Sequence, residues 1–226
     1  MKGRKSMRHK KIILVVKSQP LSIALISIFL TIAFFTGCQK TSEEKKTIQP
    51  TVTIENLHTA YAKEMNRHKM YESFTARALK DKMKNVAQLY RALARSEEIH
   101  ALNHIKLLKS LNVEPRQPQD EPVTVGTTLQ TLKMALSMEE IECGSMYPSL
   151  IRTAELEKQP KAVKQFQIIQ DADSKHGELL RYAVDRGGDI PPLKYMVCPG
   201  CGYVLTTEQT DECPACKDKV ANFEII

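Results

Sequence analysis

The chain has 226 residues, 42% of them hydrophobic and 26% charged, which is enough for one sizeable domain plus a small module. Its formal net charge is +7, but the first 20 residues contain seven basic and no acidic residues, which accounts for the whole excess. The rest is about neutral and has no basic patch with interleaved aromatic residues, so we expect no nucleic-acid partner.

The N-terminal segment 1–38 has the features of an export signal. Its basic residues precede an apolar run of 15 residues, Leu21 to Phe35, which is shorter than the ~20 residues of a membrane-spanning helix. Small residues follow directly before Cys38, and this pattern resembles a bacterial lipoprotein signal, whose cysteine is lipidated. We therefore expect a lipid anchor at Cys38 and a folded part exported to a membrane surface of a bacterium. An uncleaved N-terminal anchor is the alternative.

The remaining chain predicts a helical bundle followed by a small module. Residues 39–52 are polar and charged and predict a tether. Helical periodicity and helix breakers predict four helices, over 54–82, 85–111, 128–157 and 161–185. Tight connections within each pair and a long crossover between the pairs are typical of a ferritin-like bundle. We predict a mainly α fold, with this four-helix bundle at 53–188 and a small metal-binding module at 191–226.

Each predicted helix has an apolar stripe that acidic residues interrupt near its middle. A carboxylate on a buried face is costly unless it is paired or bound to a metal. Two helices also carry an acid-x-x-His step, which puts both side chains on one side of the helix. The residues are Glu64, Glu97 with His100, Glu139 with Glu142, and Asp173 with His176. Together they predict a site for two metal ions in the bundle core.

Four of the six cysteines lie close together in the tail. Cys198 and Cys201 form one C-x-x-C pair, and Cys213 and Cys216 form a second pair 11 residues later. This grouping favours a metal site over a disulfide framework, because four thiolates give the tetrahedral sulfur set that iron or zinc prefers. Two unlike metal sites in one chain suggest electron transfer between them.

These motifs resemble those of the rubrerythrin family over nearly all of the mature chain. They are Ala62-Lys-Glu64 with Tyr71, Glu97-Glu-Ile-His100, Glu139-x-x-Glu142 followed by Met146-Tyr147-Pro148, and Asp173-Ser-Lys-His176. The tail from Cys198 to Cys216 is similar to the family's short rubredoxin-like module. The family usually has Glu at the place of Asp173, so we expect this shorter side chain to be a terminal ligand or to lengthen the metal–metal distance.

The resemblance implies reduction of hydrogen peroxide to water at two iron ions, with electrons returned by one iron (alternatively zinc) in the four-cysteine site. The implied ligands are Glu64, Glu97, His100, Glu139, Glu142, Asp173 and His176 in the bundle and Cys198, Cys201, Cys213 and Cys216 in the tail. Tyr71 and Tyr147 are either hydrogen-bond donors to a ligand or to peroxide, or ordinary core tyrosines. The resemblance also implies a head-to-tail homodimer and an electron donor that the sequence does not identify.

Two other functions fit part of the pattern. A ferroxidase or iron-handling protein uses the same bundle chemistry but needs no electron-delivery module. A zinc-ribbon interaction protein with a structural metal in the bundle would have a redox-silent tail. His104 lies one helical turn beyond His100 and could support the metal ligands, but no partner acid is identifiable, so we expect a satisfied or partly exposed histidine. We also expect His58 and His68 to lie on the surface and Cys143 to be a small, partly buried residue.

Overall fold

The computed structural model describes residues 51–206 and 210–226. The predicted signal at 1–38, its lipidation site Cys38 and nearly all of the tether lie outside the described residues, so these boundaries stay predictions. Within the described ranges, no helix combines the length and the apolar character needed to span a membrane.

The bundle consists of paired helices, as the sequence predicts. Its helices are α1 (Thr51–Lys80), α2 (Lys84–Ser110), α3 (Thr128–Ile141), α4 (Tyr147–Leu156) and α5 (Pro160–Asp185), with a π-helical turn at Glu142–Met146. The first two helices pack along each other, and α5 packs along α3 and α4. An extended crossover joins the two pairs. The predicted mainly α, four-helix layout is therefore confirmed.

Local hydrogen bonds explain where two of the helices begin. Thr127 caps α3 through a capping box, in which its hydroxyl accepts from the Gln130 N–H and the Gln130 side chain accepts from the Thr127 N–H. At the N-terminus of α1 a distant carboxylate accepts hydrogen bonds from the backbone. Glu157, which follows α4, accepts hydrogen bonds from the backbone N–H groups of Val52 and Thr53 at 3.2 and 2.8 Å. This contact fastens the first helical pair to the second.

The π-helical turn corrects one feature of the predicted third helix, which the sequence analysis treats as unbroken. An α-helix would place Met146 one turn after Glu142, on the buried stripe. The π-helical turn contains one more residue, so Tyr147 takes this position and is fully buried, whereas Met146 is only partly buried. Tyr147, and not Met146, therefore continues the fully buried stripe.

The apolar core of the bundle is divided into two layers. One layer includes Tyr71, Phe74, Tyr90, Leu93, Leu132 and Leu180, and the other includes Leu57, Leu108, Tyr147, Phe166 and Ile169. Along every long helix the predicted acidic residues fall between these two layers. Each large buried side chain contributes roughly 1.5–3 kcal/mol, and this stabilisation offsets the cost of a polar layer in the middle of the bundle.

The tail forms a small three-stranded antiparallel sheet. Its strands are β1 (Met196–Val197), β2 (Val204–Leu205) and β3 (Glu224–Ile225), in the order β2-β1-β3, with a 3-10 turn at Val220–Asn222. The module packs on α2 of the same chain. Arg95 binds both carboxylate oxygens of Glu224 at 2.7 and 2.6 Å, and Asn103 donates to the Gly200 carbonyl at 2.9 Å.

Candidate metal centres

The seven predicted bundle ligands converge in the polar layer between the two apolar layers. α1 contributes Glu64, α2 Glu97 and His100, α3 and the π-helical turn Glu139 and Glu142, and α5 Asp173 and His176. All of them are at most 5% exposed. The helical spacing that predicts a shared face for each pair thus also places the pairs opposite one another.

One group of donors surrounds His176. Its Nδ1 atom lies 3.3 Å from Glu97 Oε1, 3.6 Å from Asp173 Oδ1 and 3.7 Å from Glu139 Oε1. One donor atom from each of the four residues lies within 4.8 Å of the others, a spacing that can hold a single ion. Three oxygens and one imidazole nitrogen form a donor set suited to iron.

A second group surrounds His100. Its Nδ1 atom lies 3.2 Å from Glu97 Oε2 and 4.0 Å from Glu64 Oε2, and these three residues also lie close enough to hold one ion. Glu97 belongs to both groups and turns one oxygen toward each histidine. Asp173 Oδ1 lies between the groups as well, 3.3 Å from His100 Nδ1. The shorter side chain of Asp173 therefore reaches the middle of the cluster.

The residues present fit two cations. Several buried atoms that face the cluster have no hydrogen-bond partner among the described residues: Glu97 Oε1, Glu139 Oε2, both carboxylate oxygens of Asp173 and His176 Nδ1. Buried polar atoms are rarely left without a partner, because each one costs about 1–3 kcal/mol. A metal ion in each group would satisfy these atoms.

The electrostatics of the polar layer also favour cations. Burial raises the pKa of Asp173 well above its usual value, and Glu97 adds to the rise. The pKa of Glu64 is raised by the same two causes. Burial lowers the pKa of His100 to about 4, so its imidazole is neutral at physiological pH, as a metal ligand must be. Cations between these acids would relieve their mutual repulsion.

Glu142 is the predicted ligand that lies apart from both groups. Its Oε1 atom forms an ion pair with Nη2 of Arg67, a residue that the sequence analysis does not single out. Burial raises the pKa of Glu142 to about 8 despite the opposing effect of Arg67, and Glu64 and Glu139 add to the rise. A proton therefore competes with Arg67 for Glu142 until cations neutralise the neighbouring acids.

The two predicted tyrosines donate hydrogen bonds to carboxylates of the cluster. Tyr147 donates its hydroxyl to Glu64 Oε1, and Tyr71 donates to Glu139 Oε1 at 2.5 Å. Both are fully buried, and burial raises the pKa of each well above its usual value. Both hydroxyls therefore stay protonated and act as donors.

His104 also lies in the polar layer, in the supporting position that was the alternative to a satisfied or partly exposed histidine. It is fully buried, and its Nε2 atom lies 3.9 Å from Glu64 Oε1, so the expectation of no partner acid is wrong. Its Nδ1 atom lies 2.9 Å from the side-chain Nε2 of Gln165, which orients the ring. The signal was present, because His104 follows His100 by one helical turn and shares its face.

The other two histidines also differ from expectation. His58 is buried, and its Nδ1 atom accepts from the Arg116 N–H at 3.3 Å, so its predicted surface position is wrong. His68 is partly buried and lies 2.8 Å from the Ala94 carbonyl through Nδ1. Cys143 is partly buried, as predicted, with its thiol directed at the Gln170 carbonyl.

The four tail cysteines converge on one point. The Sγ atoms of Cys198 and Cys216 lie 3.6 Å apart, and those of Cys201 and Cys213 lie 3.5 Å apart. An ion bound ~2.3 Å from each sulfur would separate the sulfurs of a regular tetrahedron by ~3.8 Å. All four are free cysteines whose sulfurs lie within 4.8 Å of one another. The predicted four-cysteine site is therefore formed.

The two cysteine turns share one backbone shape but differ in one residue. After each C-x-x-C pair the chain has a positive φ, of 82° at Gly202 and 68° at Lys217. The N–H of each of these residues donates to the carbonyl of the first cysteine of its pair. A Cβ atom at Gly202 would lie 2.6 Å from His100 Nε2, whereas Lys217 carries a side chain. Glycine is thus required where the module meets the bundle.

Ser96 joins the module to both histidines of the cluster. Its hydroxyl donates to the Gly202 carbonyl at 2.6 Å and lies 2.8 Å from His176 Nε2 and 3.4 Å from His100 Nε2. Both Nδ1 atoms face the carboxylates, so Ser96 lies behind the rings. Ser96 could not be identified from the sequence, because its role depends on a carbonyl 106 residues away.

A cleft between α3 and α5 leads from solvent to the polar layer. It has a volume of about 480 Å³ and is lined by Glu139 and Asp173 together with Cys143, Gly177 and Arg181. Gly177 packs beside Glu139. A Cβ atom at position 177 would lie 3.9 Å from the Cβ atom of Glu139, which is an ordinary van der Waals distance. The cleft is wide enough to admit a small molecule.

The sequence and the fold match those of known proteins. The family model described as rubrerythrin matches residues 55–184. Rubrerythrin-2 of Clostridium acetobutylicum is 28% identical over 186 residues, which are 78% of this chain and 98% of that protein. Nigerythrin of Nitratidesulfovibrio vulgaris is 31% identical over 168 residues, which are 73% of this chain and 81% of that protein.

Solved structures give the same result. A mixed-valence structure of nigerythrin superposes with a TM-score of 0.72 and 28% identity, covering 82% of this chain and 90% of that chain. A bacterioferritin of Rhodobacter capsulatus superposes with a TM-score of 0.57 and 18% identity, covering 60% of this chain and 85% of that chain. The second likeness shows the ferritin-like fold alone.

Proposed function

This chain belongs to the rubrerythrin family of non-haem di-iron oxidoreductases, which take part in oxidative-stress defence, and we propose that it reduces hydrogen peroxide to water. Each peroxide requires two electrons and two protons and yields two water molecules. The buried Glu/His cluster is the reaction site in this proposal, and the four-cysteine module is the source of electrons. These two tasks fall to different residues of the chain.

The observation that carries the proposal is the direct contact between the two sites. Ser96 connects the Gly202 carbonyl, next to the ligand Cys201, with the Nε2 atom of His176. Two short, buried hydrogen bonds and the backbone of Gly202 therefore separate a cysteine ligand from an imidazole ligand. A structural zinc site or an iron-storage bundle would not need this connection.

The residues that would hold the bundle ions are Glu64, Glu97, Glu139, Asp173, His100 and His176, with Glu97 between the two positions. These residues would hold iron able to supply the two electrons that one peroxide needs, and Cys198, Cys201, Cys213 and Cys216 would hold an iron able to return them one at a time. Four thiolates suit this exchange, because they stabilise both oxidation states in one geometry.

Tyr71 and Tyr147 would hold protons beside the reacting oxygens. Each hydroxyl donates to a carboxylate on a different side of the cluster, Glu139 and Glu64 respectively. Their raised pKa values keep the protons in place at physiological pH. Small shifts of these carboxylates would redirect the hydroxyls toward a bound oxygen, so the two tyrosines can donate hydrogen bonds to a leaving hydroxide.

The location, the electron donor and the oligomeric state of the protein are also proposals. We propose that lipidation of Cys38 anchors the exported protein to a membrane, so its electron donor lies outside the cytoplasm. We also propose a homodimer with head-to-tail chains. In the described residues the module already reaches the bundle of its own chain, through Arg95 and Glu224 as well as Ser96 and Gly202. Dimer formation would therefore not be needed to bring the two sites together.

A stopped-flow experiment tests the function. The iron-loaded full-length protein is reduced under anaerobic conditions and mixed with hydrogen peroxide or with oxygen. We expect the iron–thiolate absorption to return faster with peroxide, with one peroxide consumed for every two electrons. Faster reoxidation by oxygen would favour the ferroxidase, and a tail that contains zinc and lacks these bands would favour the zinc-ribbon protein.

A further inference from the structure

The end of the bundle at which the chain enters α1 combines an exposed apolar side chain with unpaired lysines. Leu156, the last residue of α4, is 78% exposed, more than any other large hydrophobic residue in the described ranges. Lys158, Lys161 and Lys164 follow it, are exposed, and have no ion-pair partner among the described residues. These four residues form what we call the tether-side surface.

Positive charge predominates on this surface. Lys161 and Lys164 lie three residues apart and therefore on one side of α5. Lys158 and Lys164 line a shallow groove whose lining contains one acidic residue, Glu155. The carboxylate of Glu157 is already bound to the backbone of α1. An exposed apolar side chain beside several lysines is typical of a surface that binds membranes peripherally, because the apolar group enters the headgroup region and the lysines attract anionic lipids.

The path of the chain favours the membrane as the partner of this surface. Glu157 binds the backbone of Val52 and Thr53, so the N-terminus of α1 lies against the loop that carries Lys158. Twelve residues separate Cys38 from the start of α1, and a flexible tether of that length spans ~20 Å on average. The 30 residues of α1 extend for about 45 Å. A lipid anchor at Cys38 would therefore keep this end of the bundle closer to the membrane than the far end.

We propose that the tether-side surface lies against an anionic lipid bilayer, with Leu156 among the headgroups and the three lysines on lipid phosphates. This inference rests on the proposed lipid anchor at Cys38 and is independent of the peroxide chemistry. Lys161 and Lys164 also line the groove beside Cys216, the partly exposed cysteine of the tail. The proposed orientation therefore brings the accessible side of the four-cysteine site near the membrane.

Tryptophan fluorescence tests the orientation, because the chain contains no tryptophan of its own. Full-length protein is reconstituted into phosphatidylcholine vesicles with or without phosphatidylglycerol, and bromine on the acyl chains quenches any tryptophan that touches them. In the anionic vesicles we expect quenching of L156W to be at least about threefold stronger than quenching of L79W. Leu79 is the matched control, since it is 44% exposed and precedes Lys80, Lys82 and Lys84, but lies at the far end of α1.

Charge reversals distinguish the three lysines of the surface from positive charge in general. In the L156W chain, K158E/K161E/K164E should lower the quenching to its level in neutral vesicles, because the variant repels anionic lipids. K80E/K82E/K84E changes the net charge equally at the far end of α1, well beyond the Debye length of ~8 Å at physiological ionic strength. It should leave the quenching of L156W unchanged. All six lysines are exposed, so both variants should fold.

The inference is wrong if L156W and L79W are quenched equally, or if K158E/K161E/K164E is quenched as strongly as its parent. A blue shift of L156W that grows with protein concentration in the absence of vesicles would also overturn it, because a second copy of the chain would then cover the surface. Wild-type protein that does not sediment with either kind of vesicle would overturn the membrane anchor and the inference with it. None of these results bears on the reduction of peroxide.

Discussion

The hydroxyl of Ser96 donates to the carbonyl oxygen of Gly202 at 2.6 Å, and both residues are fully enclosed by the bundle and the cysteine module. The same hydroxyl lies 2.8 Å from His176. One small side chain thus contacts a candidate ligand of the bundle centre and the residue that follows a cysteine of the other centre. Ser96 and Gly202 are therefore the residues at which the coupling between the centres can be altered with little other change.

Gly202→Ala should detach the cysteine module from the bundle. The new methyl group would meet His100 and Ser96 at 2.6 and 2.7 Å, and the positive φ would add strain of roughly 1–2 kcal/mol. We expect faster hydrogen exchange along α2 where it faces the module, with the metal of the four-cysteine site retained.

Lys217→Ala is the matched control for the module. Lys217 has the same backbone shape in the second cysteine turn but already carries a side chain. Its replacement should leave exchange along α2 unchanged. Equal effects of the two variants would show that the contact with the bundle does not explain the glycine at 202.

Ser96→Ala should slow electron transfer between the centres. It removes the donor to the Gly202 carbonyl and the hydrogen-bond partner of His176 Nε2. Loss of a hydrogen-bond partner of a metal ligand typically lowers metal affinity or activity 10- to 100-fold. We expect the peroxide-dependent return of the iron–thiolate bands to slow by about this factor. Reduction of the four-cysteine site by an added reductant should keep its rate.

Ser110→Ala serves as the control for this experiment. Ser110 lies at the end of the same helix, is exposed, and donates only to the Leu107 carbonyl of its own helix among the described residues. The role of Ser96 is disproved if both variants return their bands at the wild-type rate.

Glu97→Ala should empty the bundle site and spare the tail. Glu97 is the residue common to both ion-binding groups, so its loss removes a ligand from each. Metal analysis should show iron falling from about three ions to about one per chain, because both bundle positions depend on this ligand. Glu98→Ala, one residue away but paired with Arg95 outside the cluster, should retain all of its iron. Full occupancy in the Glu97 variant would mean that this assignment is wrong.

Cys143 should react slowly with alkylating reagents even though it lines the cleft. Burial raises the pKa of its thiol to about 12, so at pH 8 only ~0.01% is thiolate, compared with roughly a quarter of an ordinary thiol. The experiment uses metal-loaded protein with Cys38 replaced by Ser.

The contribution of the Cys143 thiol to folding stability should fall as the pH rises. Because the pKa in the folded state is raised, this thiol favours folding below pH ~8.5 and loses that contribution as the pH rises toward 12. Iodoacetamide labelling should therefore accelerate with pH up to that value and become fast on unfolding. Rapid labelling of the folded protein at pH 8 would contradict the raised pKa.

Much of the bundle could be predicted from the sequence because its signals are periodic. Glu97 and His100, or Asp173 and His176, share a face by spacing alone, and the surrounding apolar stripe shows that this face is buried. The same argument applied to His104 would have placed it in the polar layer. The cysteine pairs are equally local signals.

The remaining residues could not be predicted, because their partners are distant in sequence. Arg67 finds Glu142 75 residues away, and Ser96 finds Gly202 106 residues away. Neither residue has a distinctive neighbourhood in the sequence. The π-helical turn at Glu142–Met146 likewise has no local signal, since an unbroken helix would satisfy the apolar pattern almost as well.

The division of the apolar core has a consequence for the life of the protein in the cell. Ions that bind only the folded chain stabilise it in proportion to the logarithm of their concentration. Here the bound ions would link the two apolar layers of the bundle core. Newly made chains that have not acquired iron should be easier targets for proteases than loaded ones. The supply of iron would then determine how much of the protein persists, independently of any control of its synthesis.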